Sequence, residues 1–309
     1  MEIREFARGD YSALADTHNA IYPTRSTTAE AWAENDKQRN PKCKTRRWVA
    51  LEDDQVVGFG GYGQTVYDYH PSKFSVLVQV HPDWRRRGIG AALYDQVMVG
   101  LRQLDPTTLR LRADVYGDQP DGVRFMVRRG FVEVFRERPL RLDVNSFDPR
   151  PYAGLVERLR ERGIEIKTLH ELEADPDRNR KVYDVFWETS EDVPKENPIT
   201  PMDFDEWVEW TVNDPMVPHD GYILAVHNHT YIGLSEFGRY RESEDLQAGL
   251  VGVKRAYRGL GVALAMHLRA IAYAKTNGHP VIRTSTSVTN RPMLGLYMRL
   301  GFVAVSYTH

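Results

Sequence analysis

The chain has 309 residues, enough for about two domains that each bury a core of their own. Lys plus Arg total 41 against 43 Asp plus Glu, so no global basic field exists to hold nucleic acid or an acidic membrane. A single cysteine, Cys43, excludes an internal disulfide, and no apolar run approaches the roughly 20 residues of a bilayer span.

Taken in order, residues 1–6 predict a strand, followed by Asp10 as N-cap of a helix through Asn19. The leading stretch MEIREFARGD lacks the apolar core of a signal peptide, so a cytoplasmic location is expected. A helix over 28–39 comes next, then a hairpin of 47–51 and 55–62 with acidic residues 52–54 at its tip. Residues 74–80 form an apolar-rich strand that enters the loop around Arg85–Gly90. The helix after it places Leu93, Val97, Leu101 and Leu104 on one face. A strand over 109–115 and a short helix over 122–129 precede Phe131, which is expected to open the closing strands of this half.

The plan then repeats. A strand over 163–169, helices over 177–189 and 203–212, and a hairpin of 221–226 and 231–237 lead to a strand over 246–253. A second Gly-bearing loop, a long apolar helix, a strand over 281–287 and a short helix over 290–300 follow. Gly233 matches Gly58, Tyr257 matches Trp84 and Gly301 matches Gly130, so the repeat is domain-sized. The prolines of Asp148-Pro149-Arg150-Pro151 set the expected boundary: domains 1–148 and 149–309, with a connecting helix over 152–162. The strand 140–144 is expected to complete packing where the domains join.

The two loops carry the chemistry. The second holds Arg258, Gly259, Leu260, Gly261, Val262 and Ala263 in the spacing R-x-x-G-x-A; the first holds Arg85, Arg86, Arg87, Gly88, Ile89 and Gly90 as R-x-x-G-x-G. Glycine lets the backbone turn tightly and approach a ligand, and the following helix N-terminus offers unpaired N–H groups to an anion. Neither loop has the G-x-G-x-x-G of a dinucleotide fold. Both resemble the acetyl-CoA pyrophosphate loop of the GNAT superfamily of N-acetyltransferases. The segment NRPMLGLYMRLGF, from Asn290 to Phe302, is similar to that family's N-x-x-A-x-x-x-Y-x-x-x-G-F.

The resemblance covers essentially the whole chain and implies an α/β (α+β) protein of two tandem GNAT folds. Each would be a mixed, mostly antiparallel sheet flanked by helices. The tandem plan with unequal halves resembles that of mycothiol synthases. It further implies acetyl-CoA as cosubstrate, with pantetheine on the backbone of Val251 and Val253, pyrophosphate on Arg258–Ala263, and Asn290 helping to position the cofactor. The matching first-half positions are Val78, Val80 and Arg85–Gly90. Tyr297 occupies the general-acid position, and the Val253 N–H could polarise the thioester carbonyl. In the first half the corresponding residues are Gln119 and Met126, and Met126 cannot donate a proton. The C-terminal domain is therefore expected to be the enzyme and the N-terminal one catalytically degenerate.

Glu236 is the first candidate for general base, ahead of His219, Glu242, Glu244 and Asp245; a water chain could also serve. No metal is expected, because His227 and His229 lack a partner at ligand spacing. Phe204, Trp207 and Trp210 share one helical face, which points to packing. The leading reading is acetyl transfer to the primary amine of a small molecule by direct transfer in a ternary complex. Alternatives are a non-catalytic acyl-CoA-binding or sensing protein, and an acetyltransferase of protein Lys or N-termini. No nucleic acid or membrane partner is expected; the assembly is a monomer with pseudo-dimeric domain pairing or a homodimer.

Overall fold

A computed structural model describes residues 1–23, 26–66, 69–104, 110–194, 202–239 and 243–305. Leu109 and Glu242 lie outside these residues. The chain divides into two compact units, Met1–Val132 and Glu133–His309.

The first unit runs β1 (Glu2–Glu5), α1 (Tyr11–Ile21), α2 (Ala29–Lys37), β2 (Thr45–Glu52), β3 (Gln55–Gly63), β4 (Lys73–Val80), α3 (Ile89–Arg102), β5 (Arg110–Arg112) and α4 (Pro120–Val127). Its sheet has the order β1-β2-β3-β4-β5, with only the β4–β5 pair parallel. Helix α3 buries Leu93, Val97 and Leu101 at a spacing of four, against Trp48, Val57, Phe74 and Val76 of the sheet. Thr28 caps α2 by accepting from the Ala31 N–H. Asp10 does not cap α1: its carboxylate accepts from the Ala7 N–H at 2.8 Å and pairs with Arg4, whose guanidinium holds it below the usual carboxylate range.

The second unit runs β6 (Glu137–Asp143), α5 (Leu155–Glu161), β7 (Ile164–Thr168), α6 (Arg178–Ser190), α7 (Phe204–Thr211), β8 (Ile223–His227), β9 (Thr230–Arg239), β10 (Leu246–Val253), α8 (Val262–Thr276), β11 (Val281–Ser287), α9 (Arg291–Arg299) and β12 (Val303–Ala304). Its sheet has the order β12-β6-β11-β10-β9-β8-β7. The β2–β3 and β8–β9 hairpins turn on two residues each. Asp53-Asp54 and Asn228-His229 all have positive φ, as a turn matching strand twist requires.

Two expectations are corrected here. No strand opens at Phe131; the next strand begins at Glu137 and does not join the first sheet. Instead β6 pairs along its whole length with β11, from Glu137↔Ser287 to Asp143↔Val281, and on its other edge with β12. The compact units accordingly divide between Val132 and Glu133 rather than at the prolines near 148. Prolines mark a local interruption, whereas membership of a domain is set by which ladder a strand completes.

The buried Leu140 and Leu142 place β6 in the core of the second unit. Leu140→Ala should therefore cost about 2–5 kcal/mol in that unit alone. Scanning calorimetry of the full chain checks this: the second unit's transition should fall in temperature while the first unit's stays in place.

Candidate active site

In the second unit the sheet comes apart in the middle. Parallel pairing of β10 with β11 ends after Leu246↔Ile282 and Gln247↔Arg283. On the other edge β10 stays paired with β9, but the register shifts between Ala248↔Phe237 and Val251↔Ser235. Gly249 and Leu250 form this bulge opposite Glu236. The Lys254 N–H donates to Ile232 O at 2.8 Å, on the β9 side. Strand N–H groups alternate in direction, so those of Val251 and Val253 face the edge where β11 has departed.

Both candidate titrating groups are tied to the bulge. The Glu236 carboxylate accepts from the Leu250 N–H at 3.2 Å. Burial pushes its pKa up, and the Leu250 bond opposes that. Gly249 leaves room for it: a Cβ there would lie 2.7 Å from Glu236 Oε2. On the opposite side Thr284 Oγ1 donates to Ala248 O at 3.2 Å and lies 3.2 Å from the Tyr297 hydroxyl. Tyr297 is buried, which raises its pKa and keeps the phenol protonated.

The loop after β10 enters α8 through Gly259 and Gly261, with φ of 77° and 90°. Gly261 is the N-cap of α8; the left-handed conformation there favours glycine and leaves the first N–H groups of the helix open. Arg258 does not project freely. Its Nε donates to Val253 O at 2.8 Å, and it pairs with Asp192. Arg255 also bonds Asp192, and the two guanidinium groups hold that carboxyl well below its usual range. The role of Arg258 in the structure is thus to pin the loop to the strand end. Asn290 caps α9, its Oδ1 accepting from the Met293 N–H at 3.4 Å.

Two family models match the chain: one described as "Acetyltransferase (GNAT) family" over residues 179–302, the other as "Acetyltransferase (GNAT) domain" over 44–133. The chain belongs to the GNAT acetyltransferase family. It is a tandem-GNAT N-acetyltransferase, with one matched domain in each half. Among relatives, the mycothiol acetyltransferase of Acidothermus cellulolyticus is 24% identical over 84% of this chain and 76% of its own. That of Thermobifida fusca is 26% identical over 74% and 71%. A GCN5-related N-acetyltransferase from Sphaerobacter thermophilus superposes with a TM-score of 0.74 at 20% identity, covering 98% of this chain and 92% of that one. A tandem GNAT protein from the clavulanic acid biosynthesis pathway gives 0.69 at 19% identity, covering 98% and 95%.

The first GNAT domain repeats the parted strand pair and the glycine-capped helix. Pairing of β4 with β5 ends at Ser75↔Arg112, and the His81 N–H donates to Val57 O. Val78 and Val80 therefore turn their N–H groups to the free edge, as Val251 and Val253 do. Arg85 Nε bonds Val80 O at 3.3 Å, and Gly88, with φ of 84°, is the N-cap of α3. Arg86 stands where Gly259 does and takes a φ of 66° in spite of its side chain. The β3–β4 register runs unbroken from Gly58↔Val80 to Gly63↔Ser75. Without a bulge, Gly61 holds the place of Glu236 and the buried Met126 the place of Tyr297.

Of the other candidate bases, His219 is engaged with Val212 O at 2.8 Å and Asp245 with Arg283. His227 meets the Tyr257 hydroxyl at 3.1 Å, and no group of three or more metal-ligating side chains gathers among the described residues. Trp207 is fully buried against Tyr183 and Phe186. No helix among the described residues is long and apolar enough to cross a membrane.

His267 escaped the sequence reading, although a histidine in the apolar run ALAMHLRAIAYA was its signal. It is fully buried on α8, 5.6 Å from the Tyr297 ring centre, and its Nε2 has no partner among the described residues. Burial pushes its pKa down to about 4, so it is neutral at pH 7. The unfolded chain takes up this proton near pH 6.5, so stability present above that value is lost as pH falls toward 4. The loss should reach about 3 kcal/mol at pH 4, by the linkage of pKa to free energy. Urea unfolding at pH 7 and pH 4 should show wild type losing about 3 kcal/mol more than His267→Leu over that interval.

Proposed function

We propose that this N-acetyltransferase moves the acetyl group of acetyl-CoA to the primary amine of a small molecule, and that the second domain does the chemistry. The observation that carries this reading is the convergence of two oppositely suited groups on one bulge. Glu236 meets it through Leu250, and Tyr297 meets it through Thr284 and Ala248. A carboxyl with a raised pKa accepts a proton more readily than an ordinary one, and a buried phenol stays protonated until a stronger base appears.

In this reading pantetheine lies along the freed edge of β10 and takes up the Val251 and Val253 N–H groups as an added strand would. The pyrophosphate sits on the backbone from Gly259 to Ala263 and on the N-terminus of α8. The Val253 N–H polarises the thioester carbonyl. Glu236 takes a proton from the amine as it attacks, directly or through water, and Tyr297 protonates the departing CoA thiolate. Asn290 supports the cofactor side by fixing the start of α9. The match to relatives named mycothiol acetyltransferase supports screening a mycothiol-related amine first. The protein is taken to act in the cytoplasm, as a monomer or homodimer.

A second reading applies to the first domain. Gly61 and Met126 supply neither base nor acid, while the Val78, Val80 and Arg85–Gly90 cradle is kept. That domain is read as a cofactor-holding or structural partner of the second.

Tyr297→Phe should lower kcat by about 10²–10⁴-fold while leaving acetyl-CoA affinity within a factor of about two. Steady-state kinetics paired with calorimetric titration decide this; equal loss of binding and turnover would count against the acid role. Titrating acetyl-CoA into Gly261→Glu and Gly88→Glu assigns the sites. Loss of binding in Gly261→Glu alone leaves one cofactor site, and a fall from two equivalents to one in either variant means both cradles fill.

A further inference from the structure

Tyr222 lies just before β8, and its side chain is fully buried. Its hydroxyl has no hydrogen-bond partner among the described residues. The register Ile223↔Ser235 sets Tyr222 across from Glu236, on the same face of the sheet. That face is the one α6 covers. Gly252 pairs with Leu234, two residues from Glu236, and a Cβ on Gly252 would strike Thr189 of α6 at 2.1 Å. The Trp187 Nε1 of α6 and the Trp207 Nε1 of α7 are likewise buried without acceptors among the described residues.

Buried hydroxyl and indole N–H groups lose water on folding and normally recover a partner; leaving one unmade costs stability. An unmade donor across from a carboxylate suited to take an amine proton is better explained by a ligand that completes it. Burial and the nearby Glu236 carboxylate both push the Tyr222 pKa well up, so the phenol is a donor at any working pH.

We propose that the Tyr222 hydroxyl determines acceptor specificity by donating a hydrogen bond to an oxygen atom carried close to the acceptor's amine nitrogen. The inference rests on the acetyl-transfer reading of the Glu236–Tyr297 site. It adds to that reading the chemical class of the acceptor: a hydroxyl-, ether- or carbonyl-bearing amine rather than a purely alkyl one. A site built around a hydrogen bond rejects the analogue that lacks it, because its own donor is then left bare.

Ethanolamine and propylamine test this, since they differ by a hydroxyl in place of a methyl group. CoA release is followed for wild type and Tyr222→Phe, and the melting temperature of each protein is recorded. Wild type should favour ethanolamine by about tenfold or more in kcat/KM, mainly through KM. Tyr222→Phe should bring the ratio close to one, with a melting temperature equal to or above that of wild type. A lower melting temperature with the ratio unchanged would make Tyr222 structural and overturn the proposal. So would a wild type that favours neither amine, or one that binds acetyl-CoA and turns over neither. In that last case, acetylation of any other primary amine, lost in Tyr297→Phe, would leave the acetyl-transfer reading standing.

Discussion

The constraint on which the site depends is the early end of the β10–β11 ladder. Backbone N–H groups inside a sheet are normally consumed by the neighbouring strand, and an unpaired row is costly in a protein interior. Here the parallel ladder ends at Gln247, and the N–H groups of Val251 and Val253 are left facing an edge with no strand on it. The surrounding structure holds the opening rather than closing it. Thr284 bridges its closed end to Ala248, Arg258 grips Val253 O at its mouth, and Asp192 holds Arg258 and Arg255 in turn. The extra residue of the bulge supplies what pairing alone cannot, an amide N–H turned toward Glu236.

The two domains share one backbone arrangement and differ in the side chains set around it. Both keep a parallel pair that parts, a left-handed glycine at the helix N-cap and an arginine that pins the strand end. These are backbone features, and a broad range of side chains elsewhere is compatible with them. The bulge and the two titrating side chains occur in the second domain alone among the described residues. Arg86 takes the same left-handed turn as Gly259 with a side chain that disfavours it.

Much of this was legible in the sequence because it is locally determined. Gly88 and Gly261 announce a left-handed turn before an apolar helix, and the matching intervals between the copies establish the repeat. Tyr297 could be placed because the short helix carrying it is framed by Asn290 and Gly301-Phe302. The residues that stayed hidden act across long separations. Asp192 gives no sign of its two arginines, and Thr284 is one strand residue among several until Ala248 and Tyr297 are brought to it. The domain limit was misread for the same reason. Pro149 and Pro151 are visible punctuation, whereas the membership of Glu137–Asp143 in the second sheet is decided by a partner strand far along the chain.

That membership has a consequence for how the chain is made. β6 is synthesised before any other strand of its sheet, yet its full-length partner β11 emerges late, after β7 to β10. Until then a strand bearing Leu140 and Leu142 has neither neighbour, and long-range closure of this kind is slow. The nascent strand carries its own protection against pairing with another chain. Glu137, Arg138, Arg141 and Asp143 alternate with or flank its apolar residues, and Pro139 interrupts its row of amides. The second domain is thus bracketed by its own first and last strands, and its sheet closes only when translation has nearly passed through all of it.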